Sequence, residues 1–370
     1  MDNIIANSDD NSKLKSIIVE YIFIDGYNNV RSKTRIIKST YSNQDEDDNT
    51  NKIVKSFIIE TWNVDGSSTG QSETHKSDLI LVPRSLFNDP FNKSSETYKY
   101  LLCMCEVFNS DGTPHITNQR DLLLKTLLSI GEDKLKECEP LFGIEQEYVL
   151  LDKYGKTPYQ WNEDISQSSQ GKYYCSVGSD RNFGRKIVME HMKACLEAGV
   201  SICGINSEVA PSQWEFQIGI CPPFIVADHL WVARYILSRV AELHDICISY
   251  SPKPFGIKWN GSGGHTNFST SLMRKEGGIE HIYKAINKLK DKHQEHMLVY
   301  GEGNEVRLTG QQETSSINVF TFGDCDRGAS IRIPINVKQQ GYGYLEDRRP
   351  AANLDPYLVC AKMIETLCIE

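Results

Sequence analysis

Glu145, Glu147, Glu208, Glu215, Glu346 and His265 are the side chains whose types and spacing could do chemistry in this chain. They fall in four short segments that read as strands or strand edges. In each segment the polar residues recur at period two, which puts them on one face. Glu145 and Glu147 do so in GIEQEYVL (143–150), and Glu215 and Gln217 in QWEFQIG (213–219). His265, Asn267 and Ser269 do so in GGHTNFST (263–270), and Glu346 and Arg348 in YLEDRRP (344–350). Ile144, Phe216 and Phe268 take alternate positions and suit an apolar layer behind a sheet. Carboxylates gathered on one face need compensating cations, and hard divalent ions with oxygen ligands, Mg²⁺ or Mn²⁺, suit them. Taken singly, each segment reads more readily as a half-exposed strand with solvated glutamates. The set gains meaning from Arg307, Arg327, Arg332 and Arg348 downstream. Guanidinium forks bind phosphoryl oxygens bidentately. Metals and arginines without a GxxxxGK[ST] loop point to an ATP-using enzyme outside the P-loop class.

The elements that must position these residues divide in two. From Ile17 the chain reads as strands: IIVEYIFID, NVRSKTRII, KIVKSFIIETW (52–62), DLILVPRSLF and YKYLLCMCEVF. NSDGTPH (109–115) breaks the pattern, so a small β-rich domain is expected over 16–115, after a disordered 1–15. The acidic, Asn-rich stretch 42–51 reads as a mobile loop. A larger domain over 116–370 alternates the polar-faced strands with helices expected at 119–130, 183–199, 223–248, 278–298 and 352–368. Within 223–248, Leu230, Ala233, Leu237 and Val240 mark the apolar stripe. A Pro- and Gly-rich loop, 251–264, leads into His265.

With 370 residues, 39% of them hydrophobic, the chain can bury a sizeable core. A net charge of −9 without a basic stretch argues against a nucleic-acid partner. The polar N-terminus lacks the features of a signal peptide, and no apolar run reaches membrane-span length. Eleven cysteines, scattered without CxxC pairs, read as reduced and mostly buried thiols of a cytoplasmic protein.

WNVDGSST (62–69), GIEQEY (143–148), NSEVAPSQWEFQIG (206–219), DHLWVARY (228–235), NGSGGHTNFST (260–270), RLTGQQETS (307–315), RGASIRIP (327–334) and YLEDRRPAANLDPY (344–357) resemble the glutamine synthetase family, eukaryotic-type branch. The resemblance runs nearly collinearly from about Ile17 onward. It implies an α+β fold: a small N-terminal β-grasp domain followed by a catalytic domain with a curved antiparallel sheet backed by helices. It implies ligation of ammonia to L-glutamate through γ-glutamyl phosphate, with ATP as co-substrate and two or three cations per site. By motif position, Glu147, Glu208 and Glu215 would hold one cation, and Glu145, His265 and Glu346 another. Glu145, Glu215, Asn267, Ser269, Arg327, Arg332 and Tyr344 would meet ATP. Asn260, Gly261, Arg307 and Arg348 would bind glutamate. Asp65, Ser68 and Glu313 would bind ammonium, with Asp65, Glu313, Arg327 and Arg348 acting in the reaction. The resemblance also implies a homo-oligomer, a decamer of two pentameric rings with active sites between subunits.

Asp65 has a competing explanation, since Asp-Gly is a common turn dipeptide. The chain departs from close relatives at Leu141, Gly264, Gln312 and Gly328, and the 42–51 stretch looks inserted. None of these removes a proposed ligand or base. A γ-glutamyl ligase for a larger amine and a non-catalytic relative are the alternative readings.

Overall fold

The structure, a computed structural model, describes residues 4–8, 14–38, 55–161 and 171–369. The chain divides into two compact units, Met1–Asp121 with Ala194–Val200, and Leu122–Lys193 with Ser201–Glu370.

In the first unit, strands β1 (Ile4–Ser8), β2 (Ser16–Ile24), β3 (Val30–Lys38), β4 (Lys55–Ile59), β5 (Trp62–Asp65), β6 (Asp78–Asn88) and β7 (Tyr98–Asn109) form two sheets. β1 pairs antiparallel with β4. The larger sheet runs β3-β2-β7-β6-β5, with β2 and β7 parallel. Alternation in IIVEYIFI buries Ile17, Val19, Tyr21 and Phe23, which pack with Phe57, Ile59, Leu81, Leu101 and Val107. The expected disorder of 1–15 does not hold for Ile4–Ser8, whose backbone finds an unpaired partner strand in β4. The 42–51 stretch lies outside the described residues.

The second unit is built on an eight-stranded sheet of β8 (Leu141–Leu151), β9 (Ile202–Ser207), β10 (Gln213–Cys221), β11 (Cys247–Ser249), β12 (Gly264–Ser269), β13 (Phe322–Asp324), β14 (Ile331–Ile333) and β15 (Leu345–Asp347). Its order is β13-β14-β15-β12-β8-β10-β9, with β11 on the far end of β8. All pairs are antiparallel except β13 with β14 at the edge. Among the described residues the α-helices are α1 (Gln119–Ile130), α2 (Glu132–Cys138), α3 (Arg185–Ala198), α4 (Pro223–Leu243), α5 (Ile279–Asp291), α6 (His293–Met297), α7 (Ile335–Gln340) and α8 (Pro356–Ile364), with the start of α1 and the end of α3 counted in the first unit. α4 starts on a proline, whose missing N–H costs nothing in the first turn. Its stripe of Leu230, Ala233, Leu237 and Val240 is buried, and the helix packs on β8, β10, β11 and α8.

Three helix expectations are corrected. Residues 244–248 are not helical: the backbone turns at Asp245, whose φ is 51°, and enters β11. The 278–298 helix breaks at Lys292 into α5 and α6. Residues 352–355 lie outside α8, whose start is fixed by the Asp355 carboxylate accepting from the Tyr357 and Leu358 amides. All eleven cysteines are free thiols, most of them buried. Among the described residues no helix is long and apolar enough to cross a membrane.

Candidate active site

The register of the large sheet gathers the acidic set. Residues directly opposite on neighbouring strands share a face. Glu215 of β10 stands opposite Glu147 of β8, and Gln217 opposite Glu145. His265 of β12 stands opposite Glu145. Asn267 faces Glu346 of β15, which in turn faces Arg332 of β14. Ile144, Phe216 and Phe268 point the other way and are fully buried. His265 is the hub: its Nδ1 lies 3.6 Å from Glu145 and 3.8 Å from Glu346, and its Nε2 lies 3.9 Å from Glu147.

Two groups offer donor atoms within 4.8 Å of one another, Glu145 with His265 and Glu346, and Glu147 with Glu215 and His265. The first is the expected trio. In the second, His265 stands where Glu208 was expected. Glu208 follows the end of β9, and its Oε1 accepts from Asn206 at 2.8 Å. It still lines the same cavity as Glu147.

Burial pushes the Glu147 carboxyl up to about 7, and lifts Glu208 and Glu215 well above the carboxylate range, with neighbouring carboxylates adding to the effect. Burial and the nearby Arg348 hold His265 well below its ordinary value, so its imidazole is neutral and able to ligate. One oxygen of each of four carboxylates is held by a neutral donor. Gly263 N donates to Glu147 at 2.8 Å, Asn267 to Glu145 at 2.9 Å, and Asn206 and Gln217 to Glu208 and Glu215. Neutral donors fix direction without cancelling charge, which is how second-shell groups orient metal ligands. Oxygen donors in excess, one neutral imidazole and carboxyls without a paired cation fit hard divalent cations.

Beside this cluster lies a cavity lined by Glu147, Glu208, Asn260, Gly261, His265, Arg307, Gln312, Glu313 and Arg348. The structure therefore brings the expected glutamate contacts and Glu313 together with the acidic set. Asn260 Oδ1 is buried and has no hydrogen-bond partner among the described residues, which suits it to accept from a ligand. A Cβ on Gly261 would come within 2.5 Å of the Pro252 carbonyl, so the close approach there needs glycine. Burial lowers Arg307 to about 10, and its Nη2 donates to the Arg348 carbonyl at 3.0 Å and reaches His265 Nε2 at 3.2 Å. Arg332 and Arg348 each donate to Glu346 at 2.6 Å. Arg327 is exposed, and its carbonyl accepts from Arg348 Nε at 3.0 Å. Tyr344 is half-buried, its hydroxyl pushed up by burial and by Glu145 and Glu346. The Ser269 hydroxyl accepts from Arg274 at 3.0 Å.

Asp65 and Ser68 belong to the first unit. Asp65 caps the short 3-10 turn Gly66–Thr69, accepting from the Ser67 amide at 3.0 Å and from the Ser67 and Ser68 hydroxyls at 2.7 Å each. These bonds hold its exposed carboxyl below the usual range. The turn reading of this residue is thus met by its cap bonds.

Sequence reasoning missed the residues that aim the ligands. Gln213 Nε2 donates to Glu147 and to the Gly261 carbonyl. It lies in phase with Glu215 and Gln217, so the same period-two argument reaches it. Gln146 sits on the apolar face of β8, bonded to Arg234 of α4. A polar residue breaking the apolar phase was its signal.

Residues 15–110 match the family model described as glutamine synthetase, beta-Grasp domain, and residues 118–293 match glutamine synthetase, catalytic domain. The glutamine synthetase of Agaricus bisporus is 45% identical over 354 residues, covering 96% of this chain and 94% of that one. The glutamine synthetase cytosolic isozyme 1-5 of Arabidopsis thaliana is 47% identical over 358 residues, covering 96% of each. A solved structure described as apo GmaS without ligand covers 95% of this chain and 77% of its own, with a TM-score of 0.68 at 19% identity, a likeness of fold. A β-grasp unit followed by a curled sheet carrying a carboxylate–histidine face defines a metal-dependent, ATP-using ligase. The chain belongs to the glutamine synthetase family, in its eukaryotic-type branch. It makes glutamine from glutamate and ammonia with ATP, and depends on divalent metal.

Proposed function

We propose that the cavity beside His265 binds glutamate and that the acidic face holds two or three Mg²⁺ or Mn²⁺ ions between glutamate and ATP. The observation that carries this reading is the surplus of carboxylates, three buried and Glu145 half-buried, each steered by a neutral donor. Glu145, His265 and Glu346 would hold a cation on the nucleotide side. Glu147, Glu208 and Glu215 would hold one beside glutamate. Divalent cations held by these residues would supply charge neutralisation to the phosphoryl transfer. The orphan Asn260 Oδ1 accepts from the substrate α-ammonium, Gly261 gives room for close approach, and Arg307 takes the α-carboxylate. Arg348 steers the reacting end. Arg327 and Arg332 receive the transferred phosphoryl group, and Asn267, Ser269 and Tyr344 line the nucleotide side.

The γ-carboxylate oxygen attacks the terminal phosphorus and ADP leaves. Ammonia then attacks the activated carbonyl carbon and phosphate leaves, while the surplus proton passes to Glu313. Asp65, with Ser68 holding its carboxylate, draws in ammonium from a neighbouring subunit of a decamer of two pentameric rings. The protein works in the cytoplasm.

Phosphate release with ATP and glutamate, compared across ammonium, methylamine and no amine, tests the reaction. Strong stimulation by ammonium with Mg²⁺ or Mn²⁺ is expected, and equal stimulation by methylamine would sink the ammonium site. Asp65→Ala should raise the ammonium requirement far more than the hydroxylamine requirement, since hydroxylamine is neutral near pH 7. Equal loss with both would leave Asp65 as a turn cap only. Mixing Asp65→Ala with Glu215→Ala subunits should restore activity if sites are shared, and no recovery in mixed oligomers would remove the shared site.

A further inference from the structure

Two walls of the cavity are joined by one side chain that the reaction does not use. Gln312 Oε1 accepts from Lys253 Nζ at 2.7 Å, and its Nε2 donates to the Ile257 carbonyl at 2.8 Å. Lys253 and Ile257 belong to the Pro- and Gly-rich loop that leads to Asn260 and Gly261. That loop is tied to the glutamate pocket, because the Ser262 amide donates to the Pro252 carbonyl at 2.9 Å. Gln312 itself sits in the turn that presents Glu313, bracketed by the Thr309–Ser316 bridge.

The backbone of this turn is strained. Gln312 and Glu313 both adopt left-handed conformations, with φ of 50° and 61°. Such residues cost about 1 kcal/mol or more each and persist only where their surroundings hold them. Thr314 Oγ1 braces the turn from behind, its one proton lying between the Gln311 carbonyl at 2.8 Å and the Arg307 carbonyl at 3.1 Å. The Gln312 amide braces it from the front with both ends occupied. Burial and the nearby Arg307 hold the Lys253 ammonium below its ordinary value, and its Nζ donates to the neutral Gln312 amide.

We propose that Gln312 is a positioning residue, a latch that ties the Glu313 turn to the Lys253–Ile257 loop and so fixes where the Glu313 carboxylate meets the attacking amine. This rests on the reading of Glu313 as the group that receives the amine's proton. The latch acts on the ammonia half-reaction and leaves nucleotide binding alone.

The test compares Gln312→Ala, Gln312→Gly, Lys253→Met, the double variant Gln312→Ala/Lys253→Met and Glu313→Ala by steady-state kinetics, varying ammonium, hydroxylamine and ATP separately. Each latch variant should raise the KM for ammonium by on the order of tenfold, the size of one or two lost hydrogen bonds, with the KM for ATP nearly unchanged. The double variant should be little worse than either single one, because both break one contact. Gln312→Gly relieves the left-handed strain but deletes both bonds, so it should be no better than alanine. If glycine restores wild-type kinetics, strain relief explains the site and the latch is overturned. If Glu313→Ala raises the ammonium KM and the latch variants do not, the latch alone falls. If Glu313→Ala leaves the ammonium KM unchanged, the proton-accepting role falls and the latch with it. Equal rises in all three KM values with a lowered Tm would make Gln312 merely structural.

Discussion

The two sides of strand β15 treat buried charge in opposite ways. Glu346 lies on the face of the acidic cluster and Asp347 on the opposite face, and both are almost fully buried. Each is followed two residues later by an arginine that binds it, Arg348 and Arg349. Behind the strand the account closes. Asp347 Oδ1 accepts from Arg349 Nε at 2.9 Å, and Oδ2 accepts from Arg349 Nη2 at 2.6 Å and the Tyr300 hydroxyl at 2.8 Å. Since the Tyr300 proton goes to Asp347, His296 donates from Nδ1 to the Tyr300 oxygen and accepts from Thr366 at Nε2. One anion meets one cation, and neutral imidazoles finish the network. In front of the strand, Glu346 takes both Arg332 and Arg348, yet Glu145, Glu147, Glu208 and Glu215 remain with neutral donors. A buried network that balances within the chain is structural. One that does not balance is waiting for charge from outside.

The sharpest way to break this contrast is Asp347→Ala, which leaves the Arg349 guanidinium buried without its anion. A loss of about 3–5 kcal/mol in urea unfolding is expected, the usual cost of breaking a buried pair from one side. Glu147→Gln should do the reverse in front. Metal-free stability should hold or rise as repulsion is relieved. The stabilisation that divalent ions give the wild type, about 2–3 kcal/mol near 100 times Kd, should shrink in the variant together with activity. If Glu147→Gln destabilises the metal-free protein as much as Asp347→Ala does, the two faces are alike and the contrast fails.

The two faces should also have opposite pH slopes in metal-free protein. Glu147 is raised from an ordinary 4.5 to about 7, so the folded state keeps a proton that the unfolded chain has lost. Its stabilising contribution is full below 4.5 and is lost as pH rises through about 7. Burial lowers His296 from 6.5 to about 2, so its contribution is present above 6.5 and is lost as pH falls below that value. Urea midpoints between pH 5 and 8 should therefore flatten on the alkaline side in Glu147→Gln and on the acid side in His296→Gln. The smallest effect belongs to Thr366→Val, which removes one neutral hydrogen bond at the end of the rear network. It should cost about 1 kcal/mol and leave the ammonium KM unchanged.

The front face was legible in the sequence because strand periodicity is an arithmetic property: Glu145 and Glu147 had to share a side. The family motifs made the two-part α+β organisation equally plain. The rear network was not legible, because Asp347, the His296–Tyr300 pair and Thr366 come from three segments that only tertiary packing joins. α2 carries no apolar stripe and gave no periodic signal. The strand Ile4–Ser8 depends on a partner fifty residues away in the chain, and local composition cannot see such a partner. The left-handed pair Gln312 and Glu313 left no trace, since neither residue type announces a positive φ.

Arg234 has a consequence for the order in which the protein can be made. It is buried in α4, and its guanidinium donates to Gln146, to the Ala352 carbonyl at 2.9 Å and to the Leu354 carbonyl at 3.0 Å. During synthesis Gln146 emerges well before Arg234, but the two carbonyls emerge more than a hundred residues after it. A nascent chain that buried α4 early would trap a cation with most of its acceptors still inside the ribosome. The main sheet of the first unit has all its strands once β7 has emerged, whereas the catalytic sheet must wait for its last strand and the segment beyond it. Translation thus delivers the complete main sheet of the first unit early and holds the catalytic sheet open until nearly the whole sequence is out.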